Sequence, residues 1–346
     1  MTKLMEIHRS RRSLRGLSAG QLCFGWFSLF CLLMILRNSE IAMEYIHRGL
    51  RLCGGTVIPS LFPFMVISEL ILSSGIGEWL LRPISPPLEK LLRLPRAGCC
   101  AVVLGMLCGF PVGAKCAVSA MDQGLLKREE AERVLLFSTN PSSAFLINAV
   151  GVSLLESRRL GVLLYVTVLL SQLAVGLLFT HLSRRKTKKP AQKSVAFHEK
   201  SSTSNASRSH ETQPKKLPAG AKLFTDAIRS STHGILLVCA YVIFFSALMG
   251  TLNLMLEQLG ANTEWKAAIG CLFELSCGVS TASAIPNRRL SVPLCAFAAG
   301  WSGISVHCQL LSVCDGHGLR FHSYLLAKLL QGLLCAAVML TPFILQ

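Results

Sequence analysis

The sequence predicts an all-α polytopic membrane protein, with about eight transmembrane helices plus a re-entrant hairpin, built as two weakly similar halves with broken helices. Three observations predict it. Hydrophobic residues fill 51% of the 346 positions and charged residues only 15%, with a mean hydropathy of +0.51, whereas a water-soluble domain carries roughly 25% charge. Gly16 to Leu36, Leu160 to Ser183, Ser230 to Leu256 and Leu290 to Cys314 contain no Asp, Glu, Lys or Arg, and each reaches the length of about 20 residues that a spanning helix needs. The formal charge of +17 sits in flanks and one linker rather than over a folded surface.

Residues 1–15 hold Lys3, Arg9, Arg11, Arg12 and Arg15 against Glu6 alone, and form a basic cytoplasmic amino terminus. The first membrane half, 16–182, then offers spans at Leu17 to Leu36, Leu52 to Leu72, Cys99 to Met121 and Leu160 to His181. The first of these exceeds a signal-peptide core of about 7 to 15 residues and lacks a small-x-small cleavage site, so it is read as retained. One apolar window is left over, Val134 to Leu155, broken near its middle by Asn140-Pro141. A re-entrant hairpin there keeps the parity of the spans; a full crossing is the rival. KREEAERV, just before it, has the composition of a surface helix.

Residues 183–222 carry eleven Lys and Arg against Glu199 and Glu211, with almost no large apolar side chains, and read as a disordered basic linker. The second half, 223–346, offers spans near Gly234 to Leu256, Ala267 to Ile285, Pro293 to Ser312 and Tyr324 to Leu345. The charge rule then places both termini, the linker and Arg288-Arg289 inside, with Glu257 and Glu264 outside. Basic flanks of this kind touch anionic lipid. They lack the interleaved aromatics that stack on bases, so nucleic acid is not an expected partner. The fourteen cysteines lie mostly in apolar windows with no CxxC pair, which fits buried reduced thiols rather than disulfides or a metal site.

Internal similarity links the halves: GFPVGAKC from Gly109 lines up with GISVHCQL from Gly303, and SELILSSGIG from Ser68 with FELSCGVS from Phe273. In the first pair lies the candidate site. Pro111 is disruptive inside a helix and well placed at the start of one, so the third span should be two half-helices with their join at Gly109. The amides near Val112 and Gly113 would then present a positive helix end at membrane depth, with Lys115 one turn along. Asn140-Pro141-Ser142-Ser143 repeats the logic, with Asn140 as N-cap and Pro141 at the first helical position. The competing reading is that both prolines kink packed helices and the glycines allow close approach.

Gly303, Ser305 and His307, with Gln309, supply further polar groups, and Glu69 and Glu274 are intramembrane carboxylates suited to H+ or Na+ coupling or to pairing with Lys115. GFPVGAKC lacks the spacing and the preceding strand of a phosphate-binding loop. With no triad or metal cluster, the chain is not read as an enzyme and no cofactor is expected.

LFPFMVISELILSSGIG, GFPVGAK, EEAERVLLFSTNPSSAFLINAVG and GISVHCQ, in this order, resemble the YlbJ-type sporulation integral membrane proteins, which carry the nucleoside-recognition or Gate domain. The resemblance runs from about Gly49 to the carboxyl terminus; Phe110 stands where the family has tyrosine, and Ser138-Thr139 where it often has cysteine-asparagine. It implies a multi-pass protein of the outer forespore membrane in a spore-forming bacterium, acting in the movement of dipicolinic acid, a small aromatic dicarboxylate. A nucleoside or other small-metabolite transporter is the alternative, for which Asn140, Asn148 and Gln309 would matter more than Lys115. A non-transporting scaffold of the sporulation machinery is a third. A homo-oligomer is compatible with all three.

Overall fold

The computed structural model of the protein describes residues 18–80, 82–83, 85–186 and 219–344. The amino-terminal segment 1–15 and the linker core 187–218 lie outside the described residues. The expected linker ends are helical, since the flanking helices run to Lys186 and start at Ala219. Every regular element among the described residues is a helix.

The first half begins with α1 (Ala19–Arg37) and α2 (Ser39–Leu52). Ser18 and Gln21 form a reciprocal capping box that starts α1. Phe24, Trp26 and Phe27 of α1 point outward, as lipid-facing side chains do. A π-helix, Cys53–Val57, absorbs the pair Gly54-Gly55 and leads into α3 (Ile58–Ser73). Two short helices, α4 (Ile76–Leu80) and α5 (Ser85–Leu92), follow. Then come α6 (Arg96–Cys108), α7 (Phe110–Asp122), α8 (Arg128–Ser138), a second π-helix (Phe145–Leu154) and α9 (Arg158–Lys186). The second half holds α10 (Ala219–Gln258), α11 (Thr263–Phe273), α12 (Leu275–Ser283), α13 (Arg288–Trp301), α14 (Gly303–Val313) and α15 (His322–Ile344).

At Gly109 the chain folds back instead of crossing. A Cβ built on Gly105 would lie 2.9 Å from Gly113 Cα, although in a continuous helix those residues are about 12 Å apart. The expected third span is therefore a re-entrant hairpin, α6–α7, with glycines at 105 and 113 because the two helices touch backbone to backbone. The same holds at Glu274: a Cβ on Gly278 would lie 2.5 Å from Cys271 Cα. Thus α11–α12, expected as a span, is a second hairpin.

The window Val134 to Leu155 does the opposite of what parity suggested. Gly161 of α9 packs against Gly151, and Gly176 of α9 packs against Phe137, two contact points about 22 Å apart at a rise of about 1.5 Å per residue. The chain from α8 through the break to the π-helix thus runs antiparallel along α9 and crosses. Six described helical runs are long and apolar enough to span a bilayer, and Phe145–Leu154 is a shorter apolar helix beside them. The all-α polytopic fold stands, with two re-entrant hairpins, α6–α7 and α11–α12, where one was expected elsewhere.

Directions follow from contacts. The face on which α9 ends and α10 begins is the linker face. Asp122 Oδ1 lies 3.0 Å from His317 Nε2, and Arg320 N donates to Glu132 Oε1 at 3.0 Å, which gathers the end of α7, the start of α8 and the start of α15 there. Lys266 pairs with Glu257, and Arg288 Nη1 donates to Leu155 O, which puts both ends of the second hairpin on the opposite face. One hairpin dips in from each face, followed by a broken span and a long helix in each half, so the repeats are inverted. α7 therefore corresponds to α12, and GISVHCQL corresponds to the π-helix rather than to GFPVGAKC. With three crossings in the second half, the carboxyl terminus and Arg288-Arg289 lie opposite the linker, correcting the expectation that they share its side.

Candidate functional site

Four interruptions meet at the centre. Gly109, the first hairpin tip, has φ 99, a left-handed conformation that a side chain would strain. Its amide closes α6 on Gly105 O at 2.9 Å, and its carbonyl accepts from Val112 N at 3.2 Å to open α7. Pro111 falls in the first turn, where its missing N–H leaves no orphan. A Cβ on Gly109 would lie 3.1 Å from Ser142 N and 3.4 Å from Asn140 O, so the tip is seated on the first break. There Ser142, not Asn140, restarts the helix: Ser142 Oγ accepts from Phe145 N at 3.2 Å.

The second tip is built differently. Glu274 is extended (φ −142, ψ 124), and its Oε2 accepts from Cys277 N at 2.7 Å, so the carboxylate caps its own helix α12. The second break turns at Ser302 (φ 75) and Gly303 (φ 83). A Cβ on Gly303 would lie 3.0 Å from Leu275 N, and Trp301 Nε1 donates to Leu272 O at 3.0 Å, which together pin tip to break.

Between the two tip–break pairs lies a small cavity. Phe110, Phe145, Val238 and Val242 make much of its wall; Ser60, Ser142, Glu274, Ser276 and Gln309 supply its polar groups. This is the composition of a small-molecule site: apolar walls with a few placed hydrogen-bonding groups. α7, the Phe145–Leu154 helix, α12 and α14 all begin at this centre. Each brings the positive end of its helix dipole, with Glu274 capping α12 and Ser142 capping the helix after the first break.

The residues singled out from sequence separate into three groups. Gly109, Ser142, Gly303 and Glu274 belong to the tips and breaks that form the cavity, and Ser305 supports it by accepting from Gln309 Nε2 at 3.4 Å. Pro111 and Lys115 line a smaller neighbouring pocket, which shares Phe110, Val238 and Gln309 with the cavity. Lys115 Nζ donates to Ser230 O and Ser230 Oγ, both at 2.9 Å, and lies 3.9 Å from Glu69 Oε2. Lys115 and Glu69 are thus partners of each other at the edge of the site, not groups on its wall.

The rest lie elsewhere. Gly113 serves packing, since a Cβ there would meet Ser138 O at 2.5 Å. Ser143 follows the cap and is absent from the cavity wall. His307 is buried edge-on against Trp301, with Nδ1 3.2 Å from Tyr324 Oη. Asn140 is fully buried and turned away from the cavity: Nδ2 donates to Gln172 Oε1, and Oδ1 accepts from Gln331 Nε2 at 3.0 Å and Lys328 Nζ at 3.3 Å. Sequence reasoning missed this cluster and the wall residues Ser60, Ser276 and Phe110. The available signal was Lys328 and Gln331, three positions apart in an otherwise apolar helix.

No protein-family model matches the chain, and no solved structure does. The chain is 28% identical over 327 residues to the "Sporulation integral membrane protein YlbJ" of Bacillus subtilis (strain 168), a similarity covering 90% of this chain and 79% of that relative. The chain is thus similar, over most of its length, to a sporulation integral membrane protein.

Proposed function

We propose that the protein is a transporter, not an enzyme, that moves a small anionic metabolite across the membrane during sporulation. The cargo is dipicolinate and the site of action is the outer forespore membrane. The observation that supports this reading most is the convergence of two hairpin tips and two broken helices, from inverted repeats, on one cavity. Inverted repeats with discontinuous helices are the architecture in which one repeat moves against the other around a central site. The positive dipole ends of the helices that start at the cavity favour carboxylate groups of the cargo. Phe110 and Phe145 suit an aromatic ring.

Glu274 gives the reading its mechanism. It is the ionisable side chain on the cavity wall, and as a carboxylate it repels a dicarboxylate unless a proton or a cation neutralises it. Cargo entry is thereby tied to protonation or cation binding at the second tip, which is co-transport. The sporulation role is carried over from the name of the Bacillus subtilis relative.

One observation favours a neutral cargo such as a nucleoside: the cavity wall has no lysine or arginine, and Ser60, Ser142, Ser276 and Gln309 are neutral hydrogen-bonding groups. Uptake of labelled dipicolinate, nucleosides and other dicarboxylates into proteoliposomes tests both. Saturable dipicolinate flux that nucleosides fail to inhibit is expected; nucleoside flux alone would replace the cargo, and no flux of either, with normal spores from a cavity-plugging Ser276→Trp variant, would leave a scaffold.

A further inference from the structure

The cluster behind the first break holds a charge that neither cavity uses. Lys328 of α15 is 1% exposed. Its Nζ donates to Thr139 O at 2.8 Å, Gln331 Oε1 at 2.8 Å and Asn140 Oδ1 at 3.3 Å. An ammonium has three N–H donors and no acceptor, so three oxygens satisfy it completely in its charged form. None of the three is a carboxylate, and the ionisable side chains acting on it are His307 and Cys335. A buried cation in such a place is costly unless its surroundings are arranged for it.

They are arranged. Thr139 O belongs to the carbonyl end of α8, where the helix dipole is negative. The Asn140 amide is turned so that Nδ2 faces Gln172 and Oδ1 faces the ammonium. Gln331 Nε2 is drawn off to Asn140 Oδ1 and Val168 O, at 3.0 and 3.1 Å, which leaves Oε1 for Lys328. A helix carboxyl end, an unwound backbone and side-chain oxygens are the ligands that broken-helix transporters offer to a coupling cation.

We propose that the first break forms a site for a small monovalent cation and that Lys328 fills it with a cation tethered to the protein. The occupancy stands on this geometry alone. Its consequence rests on the transport reading: the first half then holds a tethered amine behind its break, and exchangeable cation or proton is left to Glu274 in the second.

The test is thermal unfolding of the detergent-purified full chain, with ammonium chloride, sodium chloride or choline chloride added at matched ionic strength. Lys328→Ala is expected to lower Tm and to regain most of the loss, saturably, with ammonium or sodium but not with choline, which is too large for the site. Wild type, and Lys328→Met, whose side chain fills the space, are expected to respond to all three salts alike. A response of Lys328→Ala that does not distinguish choline from ammonium and sodium would overturn the proposal. If Lys328→Ala does not fold, Asn140→Asp decides: a carboxylate beside a resident ammonium raises Tm, and Gln172 turns its unpartnered Nε2 toward it, whereas a lowered Tm rejects a cation there. Flux is measured separately, so a cargo assay that fails bears on the transport reading and leaves the salt response intact.

Discussion

The two hairpins are the same backbone device made from opposite chemistry. The first tip is a glycine with no side chain at all, pressed against Ser142 and Asn140; the second is a glutamate whose carboxylate caps the helix that follows it. The breaks on which they sit differ likewise, the first braced by the Lys328 ammonium and the second by Trp301 and a left-handed Ser302. Inverted symmetry of the backbone thus coexists with a division of charge, positive behind the first break and negative at the second tip.

The comparison breaks first at Gly109. Gly109→Val must adopt φ 99 and push its Cβ onto Ser142 N, so the tip should leave the break; left-handed strain alone costs about 1–3 kcal/mol. Loss of flux with a clearly lowered Tm is expected, and a variant of normal Tm and flux would show that the tip needs no seat. Next comes Glu274→Gln, which keeps an oxygen to accept from Cys277 N and so leaves the fold standing. Accumulation against a gradient should disappear while exchange of cargo persists; unchanged accumulation would remove Glu274 from coupling.

Topology is decided by labelling. Single cysteines at Asn262 and Asn287, the two ends of the second hairpin, should react from the same face, opposite to one at Ser202. Reaction of Asn287 with the Ser202 face would restore α11–α12 as a span. A smaller effect is expected at Lys115, which is partly exposed and paired with Glu69 and Ser230. Those partners hold it off the cavity wall, so Lys115→Met should change cargo affinity less than Gln309→Leu on that wall does. The reverse order, from inhibition curves in proteoliposomes, would move the binding centre to the Lys115 pocket.

The smallest effect is outside the membrane. His317 lies against Asp122 on the linker face, and that carboxylate, with Asp315 O, holds the imidazolium above its usual pKa. A raised histidine pKa means that the pair's contribution is complete below about 6.5, the ordinary value, and is lost as pH rises through the raised one. Asp122→Asn should therefore lower Tm slightly in mild acid and not at all in mild alkali. A difference that grew with pH would contradict the pairing.

Much of this fold was legible because it is locally encoded. Apolar length announces helices in lipid, Gly109-Phe110-Pro111 and Asn140-Pro141 announce helix breaks, and Glu274 announces itself as a carboxylate with no business in hydrocarbon. The site was legible only in part. Lys115 drew attention as a charge in an apolar window, but a lysine stem is long enough to turn its head toward Ser230 and Glu69, and no local pattern records that. Asn140 was read as a cap because Asn before Pro is a capping pattern, yet Ser142 was equally able, and the pull of Gln172, Gln331 and Lys328 settled which one stayed.

By itself, then, the sequence determined that the chain lives in a membrane, where its helices lie and where they are interrupted, since each of these depends on side chains within a few turns of one another. Only the tertiary structure decided which interruption turns back and which crosses. A helix stopped by Gly109 and one stopped at Asn140-Pro141 have the same backbone options. The choice depends on whether Gly105 and Gly113 close on each other or Gly151 and Phe137 dock along α9, contacts between residues that no local signal brings together.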